Sequence, residues 1–490
     1  MKTQTTIADL ARLVQPAEVV GGDPDVVLTD VTHDSRQVKP GTLFVAIRGE
    51  HTDGHRFVES AVISGAPAIL VEERISTDVP QIIVGDTRRV LGPVAAAVHG
   101  FPATDMVMIG VTGTNGKTTV THMLESMCRA DGQITGLIGT IGAVSAGEPI
   151  RSVRTTPEAP DLHRLLARMR DDHVQVVGVE VSSHALALGR VDGVLFDVAV
   201  FTNLTQDHLD YHLTMEDYFL AKAELFDVGR SRRGVVWVSS SEGMRMAEVS
   251  TTPVTTIGWL GSGAHVEVSV VEATIEGSTF VVRSPTESFT LAVPLPGMFN
   301  VENAAIAAYV ARSIGVSVDA VTKGLVDLGS IPGRYEVVAT EPAVVVDYAH
   351  TPEAIAAVIA ASRPLTGGRI IVVFGAGGDR DAAKRPLMGA AAATADHIVI
   401  TTDNPRSEDP GALIAAIQGG MVGTNSAVEV VEDRADAIDR ALEVAQPNDI
   451  VLILGKGHET GIDRHGVVEP FDDRDVARAL VHRRSRPSPC

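Results

Sequence analysis

The chain has 490 residues, enough for about three domains, each with its own core. With 44% hydrophobic and 21% charged residues it has the balance of a globular protein and not of a disordered one. A net charge of −21, from 62 acidic and 41 basic residues, argues against non-specific nucleic-acid binding, and two cysteines leave no disulfide framework or cysteine metal cage. No apolar run approaches the ~20 residues of a membrane span. The N-terminus, Met1 to Leu10, lacks the apolar core of a secretion signal, so a cytoplasmic protein with no membrane partner is expected.

In chain order, residues 1–100 alternate short apolar runs with turn signals. The runs are Val26 to Leu28, Thr42 to Ile47, Ala68 to Val71 and Gln81 to Val84, with helical patterns at Gly54 to Ser64 and Arg88 to His99. They predict a small mixed α/β domain. The polar clusters Thr32 to Arg36 and Arg48 to Gly54 flank one strand, and either line a ligand site or are solvated loops. His99 to Thr104 reads as a linker.

Residues 105–331 open on the most informative stretch. An apolar strand, Met106 to Val111, breaks into Thr112-Gly-Thr-Asn-Gly116, and Lys117-Thr-Thr119 starts a helix with Val120, Met123, Leu124 and Met127 on one face. Strand, glycine loop, Lys-Thr and helix form a phosphate-binding loop, whose backbone N–H groups and helix dipole face one concavity. The first glycine of the usual spacing is missing, its place being taken by Val111. A nucleoside triphosphate is expected on Gly113, Thr114, Asn115, Gly116, Lys117, Thr118 and Thr119, with Lys117 at the outer phosphates and Thr118 on magnesium. A second strand, Val174 to Val181, carries Glu180 near its end, where the carboxylate either faces solvent or meets the nucleotide's metal. Ser182-Ser183 lacks the frame of a nucleophile elbow. A third strand, Phe196 to Thr202, runs into Asn203 to His212, whose last six residues hold two aspartates and two histidines, either a cation or phosphate site or plain hydrogen-bonded structure. On composition, Lys222 reads as an exposed helix lysine paired with Glu224 or Glu216. Residues 264–293 predict antiparallel additions to the sheet. Pro296 to Asn303 caps an Ala-rich helix running to Arg312, with Asn303 at its start either capping or meeting an adenine.

Residues 332–490 read as β-α-β-α repetition, hence a parallel sheet with helices on both faces. The strands are Ala343 to Asp347, Arg369 to Phe374, His397 to Thr401 and Ile450 to Leu454; the helices are Glu353 to Ser362, Lys384 to Thr394, Gly411 to Gln418 and Arg434 to Ala445. The strands end in Asp347-Tyr-Ala-His350, Gly375-Ala-Gly-Gly-Asp-Arg-Asp381, Asp403-Asn-Pro-Arg406 and Gly455-Lys-Gly-His-Glu459. Open α/β sheets bind ligands at the carboxyl ends of their strands, so these charges point to a zwitterionic small molecule. Gly375 to Arg380 is no dinucleotide fingerprint, because Arg380 stands where Gly or Ala is needed.

Taken together, these residues resemble the Mur ligases, which extend the peptidoglycan precursor peptide. The likeness runs through Asp34-Ser-Arg36, the phosphate loop Thr112 to Thr119, Thr155-Thr-Pro157, Glu180-Val-Ser-Ser-His184, Asn203 to His212, Lys222, Asn300-Val-Glu-Asn303, Pro332-Gly-Arg334 and Asp347-Tyr-Ala-His-Thr-Pro352. Within the family, Gly377 to Asp381, Asp403 to Arg406 and Gly455 to Glu459 resemble the member that adds the third peptide residue, and the Asp-Asn-Pro-Arg form goes with meso-diaminopimelate.

The resemblance implies three α/β domains: a UDP-binding domain at 1–100, an ATP-binding phosphate-loop domain at 105–331 and a Rossmann-like amino-acid domain at 332–490. It implies a monomer that uses ATP, two Mg2+ ions and an acyl-phosphate intermediate. Lys117, Lys222 and His208 would be catalytic. Thr118, Glu180, His208 and a carbamylated Lys222 would hold metal, and Asn303 and Arg334 would touch ATP. UDP-N-acetylmuramoyl-L-Ala-D-Glu would lie on His33, Ser35, Glu50, His51, Thr52, Thr155, Thr156, Ser182 and Arg190. Arg154 and Leu188 depart from some relatives at that surface. Diaminopimelate would lie on Arg380, Asp403, Asn404, Pro405, Arg406, Gly455 and Glu459. The alternatives are the lysine-adding relative, a folylpolyglutamate-type ligase, and, from another class, a phosphate-loop switch with an amino-acid sensor domain.

Overall fold

The computed structural model describes residues 5–49, 52–152 and 154–485. It is an α/β protein of three domains, each organised on a sheet with a parallel centre. The first sheet has the order Glu18–Val20, Gln81–Ile83, Ala68–Val71, Thr42–Val45, Asp30–Thr32, antiparallel only at the Glu18–Val20 edge. A helix at Ile7–Leu13 escaped the sequence reading. It is only seven residues long, and a reciprocal cap between Thr6 and Asp9 starts it.

The second sheet has eleven strands, and its middle explains the phosphate loop. Val107–Thr112 pairs in parallel with Val176–Glu180 on one side and Val198–Phe201 on the other. Alternate side chains of this strand go to opposite faces. Ile109 and Val111 pack beneath Val120, Met123, Leu124 and Met127 of helix Lys117–Ala130, while Met108 packs with Val177 and Val179. Full burial of each such side chain contributes on the order of 1.5–3 kcal/mol, which anchors the strand–loop–helix unit. The predicted antiparallel additions are present as Val266–Thr274, Gly277–Arg283 and Ser288–Val293. At the other edge lies a hairpin the periodicity did not reveal, Gly142–Ser145 with Glu148–Ile150. The Ala-rich helix begins at Met298, so Asn303 sits in its second turn and not at its cap; Gly297, at φ +95°, takes that place.

The third sheet has the order Glu336–Thr340, Ala343–Asp347, Ile450–Leu454, Ile370–Phe374, His397–Ile400, Ala427–Val430, with only the first strand antiparallel. Its interior strands are buried throughout, as a sheet covered on both faces requires. Both edge strands, the hairpin Gly461–Arg464 with Val467–Pro470 and the final helix Asp473–Ser485 are additions to the predicted elements. Among the described residues no helix is long and apolar enough to cross a membrane.

Candidate active site

The phosphate loop turns on two glycines. Gly113 has φ +144°, and a Cβ there would lie 1.9 Å from Thr202 Oγ1; Gly116 has φ +87°, and a Cβ would lie 2.4 Å from Asn303 Oδ1. Asn303 is therefore buried directly over the loop. Lys117 folds back, its Nζ donating to the carbonyls of Gly113 and Thr114, both at 2.8 Å. Burial lowers its pKa, with Glu180 and Asp207 opposing the shift.

Glu180 is fully buried, which excludes the solvent-facing alternative. It accepts from Thr118 Oγ1 at 3.0 Å and from the Thr140 backbone N–H and hydroxyl, each at 2.9 Å. Thr140 has no sequence signal, since it stands in a turn brought over only by the edge hairpin. Arg334 crosses from the third domain and donates to Thr118 Oγ1 at 3.1 Å. The hydroxyl of Thr118 thus joins a carboxylate and a guanidinium.

The exposed, acid-paired Lys222 that composition favoured is overturned. Its side chain is buried, its Nζ donates to Gly113 O at 2.9 Å and lies 4.4 Å from the Tyr218 ring centroid. Burial, and then the neighbouring Lys117, push its pKa well below the ordinary lysine value. His208 takes a left-handed backbone, φ +54°, beside Asp207 at 3.4 Å. Packing around the ring, and after it His184, Lys117 and Lys222, depress its pKa against the pull of Asp207. Among the described residues no three His, Cys, Asp or Glu side chains converge as a metal cage. The donor set at the loop is instead one hydroxyl and one carboxylate, hard oxygens of the type magnesium takes.

The surface next to Glu180 gathers several predicted contacts for the nucleotide-linked peptide. Thr156 Oγ1 donates to Glu180 O at 2.7 Å and accepts from Ser182 N at 3.1 Å, and Arg190 donates to Thr156 O at 3.4 Å. Thr155 meets Thr140 at 3.0 Å. The carboxylate of Glu158 lies among Arg190 at 2.9 Å, Arg88 at 2.8 Å and Arg154. His33 stands nearby with Nδ1 unpartnered, its pKa lowered by burial and raised in part by Glu158. Ser35 starts a 3-10 turn, and Thr52 is exposed, its carbonyl accepting from Gly49 N. Glu50 and His51 lie outside the described residues.

At the carboxyl end of the third sheet is a cavity of about 200 Å3 whose wall includes Arg380, Asp403, Asn404, Arg406, Gly455 and Glu459. Pro405 is not in that wall; its carbonyl packs against Gly378. Asp347, read as a ligand-bearing strand end, instead accepts from the backbone N–H of Tyr335 and Ala349, both at 2.7 Å. It thereby pins Tyr335, at φ +44°, beside Arg334. The opposite wall comes from the second domain as Gln206, Asp207 and His208. Beneath the cavity lies Lys456, fully buried, donating to Asn404 Oδ1 and Glu459 Oε2, both at 3.1 Å, and 3.8 Å from Asp403. Lower still, Arg434 and Asp473 form a fully buried pair, and Arg434 also donates to the carbonyls of Thr402 and Leu454. These two cations were absent from the predicted site. The signal for Lys456 was its place between glycines at a strand end; Arg434 had none beyond a charge opening a helix.

The chain matches three family models: the Mur ligase family catalytic domain over residues 27–99, the Mur ligase middle domain over 111–311, and the Mur ligase glutamate ligase domain over 333–457. It is 44% identical to the UDP-N-acetylmuramoyl-L-alanyl-D-glutamate--2,6-diaminopimelate ligase of Streptomyces coelicolor, with 96% of each chain covered. It is 42% identical to the protein of the same name from Geobacillus thermodenitrificans, with 95% of this chain and 96% of that one covered. A solved structure of a ligase of that name superposes with a TM-score of 0.71 at 30% identity, covering 99% and 100% of the two chains.

Proposed function

The chain belongs to the Mur ligase family, and from that premise we propose that it joins meso-2,6-diaminopimelate to UDP-N-acetylmuramoyl-L-Ala-D-Glu at the expense of ATP, in peptidoglycan precursor synthesis. The observation that carries the reading is Arg334. It touches Thr118 of the phosphate loop and lies 4.5 Å from the ring centroid of Tyr348, a wall residue of the amino-acid cavity. In this reading triphosphate and amino acid face one cleft, bridged by Arg334.

ATP lies along Gly113 to Thr119, with Asn303 at the adenine and Arg334 near the phosphates. Moving the terminal phosphoryl group onto the D-Glu carboxylate brings two anions together, and Lys117 offsets their repulsion. The amine of diaminopimelate then attacks the acyl phosphate and phosphate departs. Thr118, Glu180 and His208, all of the second domain, would hold a magnesium ion, which would neutralise phosphate charge. Carbon dioxide adds only to a neutral amine, and the environment of Lys222 favours that form, which supports a carbamate able to hold a second ion. The UDP-peptide lies on His33, Ser35, Thr52, Thr155, Thr156, Ser182 and Arg190. Arg380, Arg406 and Glu459, with Asp403, Asn404 and Gly455, hold diaminopimelate. A monomer, a cytoplasmic location and domain borders near residues 100 and 331 belong to the same proposal.

The test is one assay. With ATP, Mg2+, UDP-linked dipeptide and diaminopimelate, mass spectrometry should show the tripeptide, and phosphate release should require the dipeptide. Phosphate release without the dipeptide, and no tripeptide, would replace this reading with the phosphate-loop switch.

A further inference from the structure

One wall residue of the cleft has no part in the roles above. His350 lines the cavity with Asp207 and His208 of the second domain and with Arg380, Lys384 and Glu459 of the third. Its Nδ1 lies 2.8 Å from the carbonyl oxygen of Tyr348. A carbonyl only accepts, so Nδ1 carries the proton and Nε2 is left with its lone pair. The ring is fixed against Tyr348, with centroids 4.6 Å apart and planes at 61°. Among the described residues none donates to Nε2. The tautomer and orientation are therefore set by a backbone carbonyl, the arrangement in which an imidazole is ready to take up a proton.

The chemistry of the cleft needs such a group. The α-ammonium of an amino acid has no lone pair, and it must lose a proton before it can attack an acyl phosphate. Glu459 fits that task poorly, because one of its oxygens accepts from Asn404 at 2.8 Å and from Lys456 at 3.1 Å. Building on the ligase reading, we propose that His350 is the general base of the amide-forming step. Nε2 takes one proton from the ammonium group, and the freed lone pair forms the C–N bond. The C–O bond to the phosphoryl group breaks and its electron pair leaves with phosphate. A second N–H proton passes to that phosphate, the third remains on the amide, and His350 returns its proton to solvent. Of the charged groups around the imidazole, Asp207 favours the imidazolium, while Lys384 and Arg334 oppose it. Burial, the largest influence, lowers the pKa, so the ring is the neutral base at pH 7.

The experiment compares two acceptors on the full-length protein with saturating ATP, Mg2+ and UDP-linked dipeptide. Diaminopimelate needs a base, whereas hydroxylamine is already a free base at neutral pH and traps the acyl phosphate as a hydroxamate. In His350→Gln and His350→Asn, tripeptide formation at pH 7 should fall by about 10²–10⁴-fold, while hydroxamate formation stays within about threefold of wild type. Tripeptide formation by the variants should also climb with pH, as free amine becomes available without a base. If both products fall together in variants that melt with the wild type, His350 serves phosphoryl transfer and the proposal is overturned. If neither falls, it is equally overturned. A wild type that makes hydroxamate but no tripeptide would instead overturn the ligase reading beneath it.

Discussion

The phosphate loop and the third-domain cavity are bridged by Arg334 but are held in shape by opposite means. Around the loop, side chains bind the loop's own backbone: Lys117 and Lys222 both reach Gly113 O, and Thr202 donates to Asn115 O at 2.6 Å. The cavity is built from side chains on four separate strand ends, above two fully buried cations, Lys456 and Arg434. Two of its loop residues, Asp379 and Arg406, are held at positive φ. An anion is met by the dipoles of a contiguous backbone, which need no counter-ion. A zwitterion needs fixed charges of both signs, and each buried charge then needs a partner of its own.

Three substitutions probe that contrast, in decreasing order of effect. Lys117→Met removes the loop's own lysine, and kcat should fall by about 10³-fold or more with melting temperature nearly unchanged. Retained turnover would mean that Arg334 alone neutralises the phosphates. Arg434→Met leaves Asp473 uncompensated in the interior and should cost about 3–5 kcal/mol in urea unfolding. The same change frees the carbonyls of Thr402 and Leu454, so the KM for diaminopimelate should rise while that for ATP holds. Equal rises in both would show that the two regions are not mechanically distinct. Arg406→Ala should have the smallest effect: it should erase a preference for diaminopimelate over L-lysine of about 1–3 kcal/mol in kcat/KM, because the guanidinium lacks a partner when the distal carboxylate is missing. In this structure the Arg406 guanidinium donates to Gly378 O. A wild type that uses both amino acids equally would refute the assignment.

The elements that periodicity revealed are those buried on a whole face. Val107–Thr112, Ile370–Phe374 and Ile450–Leu454 are apolar runs with turn chemistry at both ends, and helix Lys117–Ala130 carries its apolar stripe at regular spacing. The pieces that stayed hidden are sheet edges and short caps. Ala427–Val430 and Glu148–Ile150 are three- or four-residue strands with exposed positions, and their pairing is set by the neighbouring strand more than by any pattern of their own.

What the chain order alone determined is the chemistry carried by contiguous residues: the bend at Gly113 and Gly116, the lysine that follows it, and the charged segments at the ends of four C-terminal strands. Such motifs are legible because the backbone that positions them is local. Only the tertiary structure decided that Lys222 is buried against Gly113, that Glu180 is shared by Thr118 and Thr140, that Asp347 clamps the backbone of Tyr335, and that Lys456 and Arg434 lie under the cavity. Those facts depend on desolvation and on partners brought from distant parts of the chain, and neither is written in the spacing of neighbouring residues.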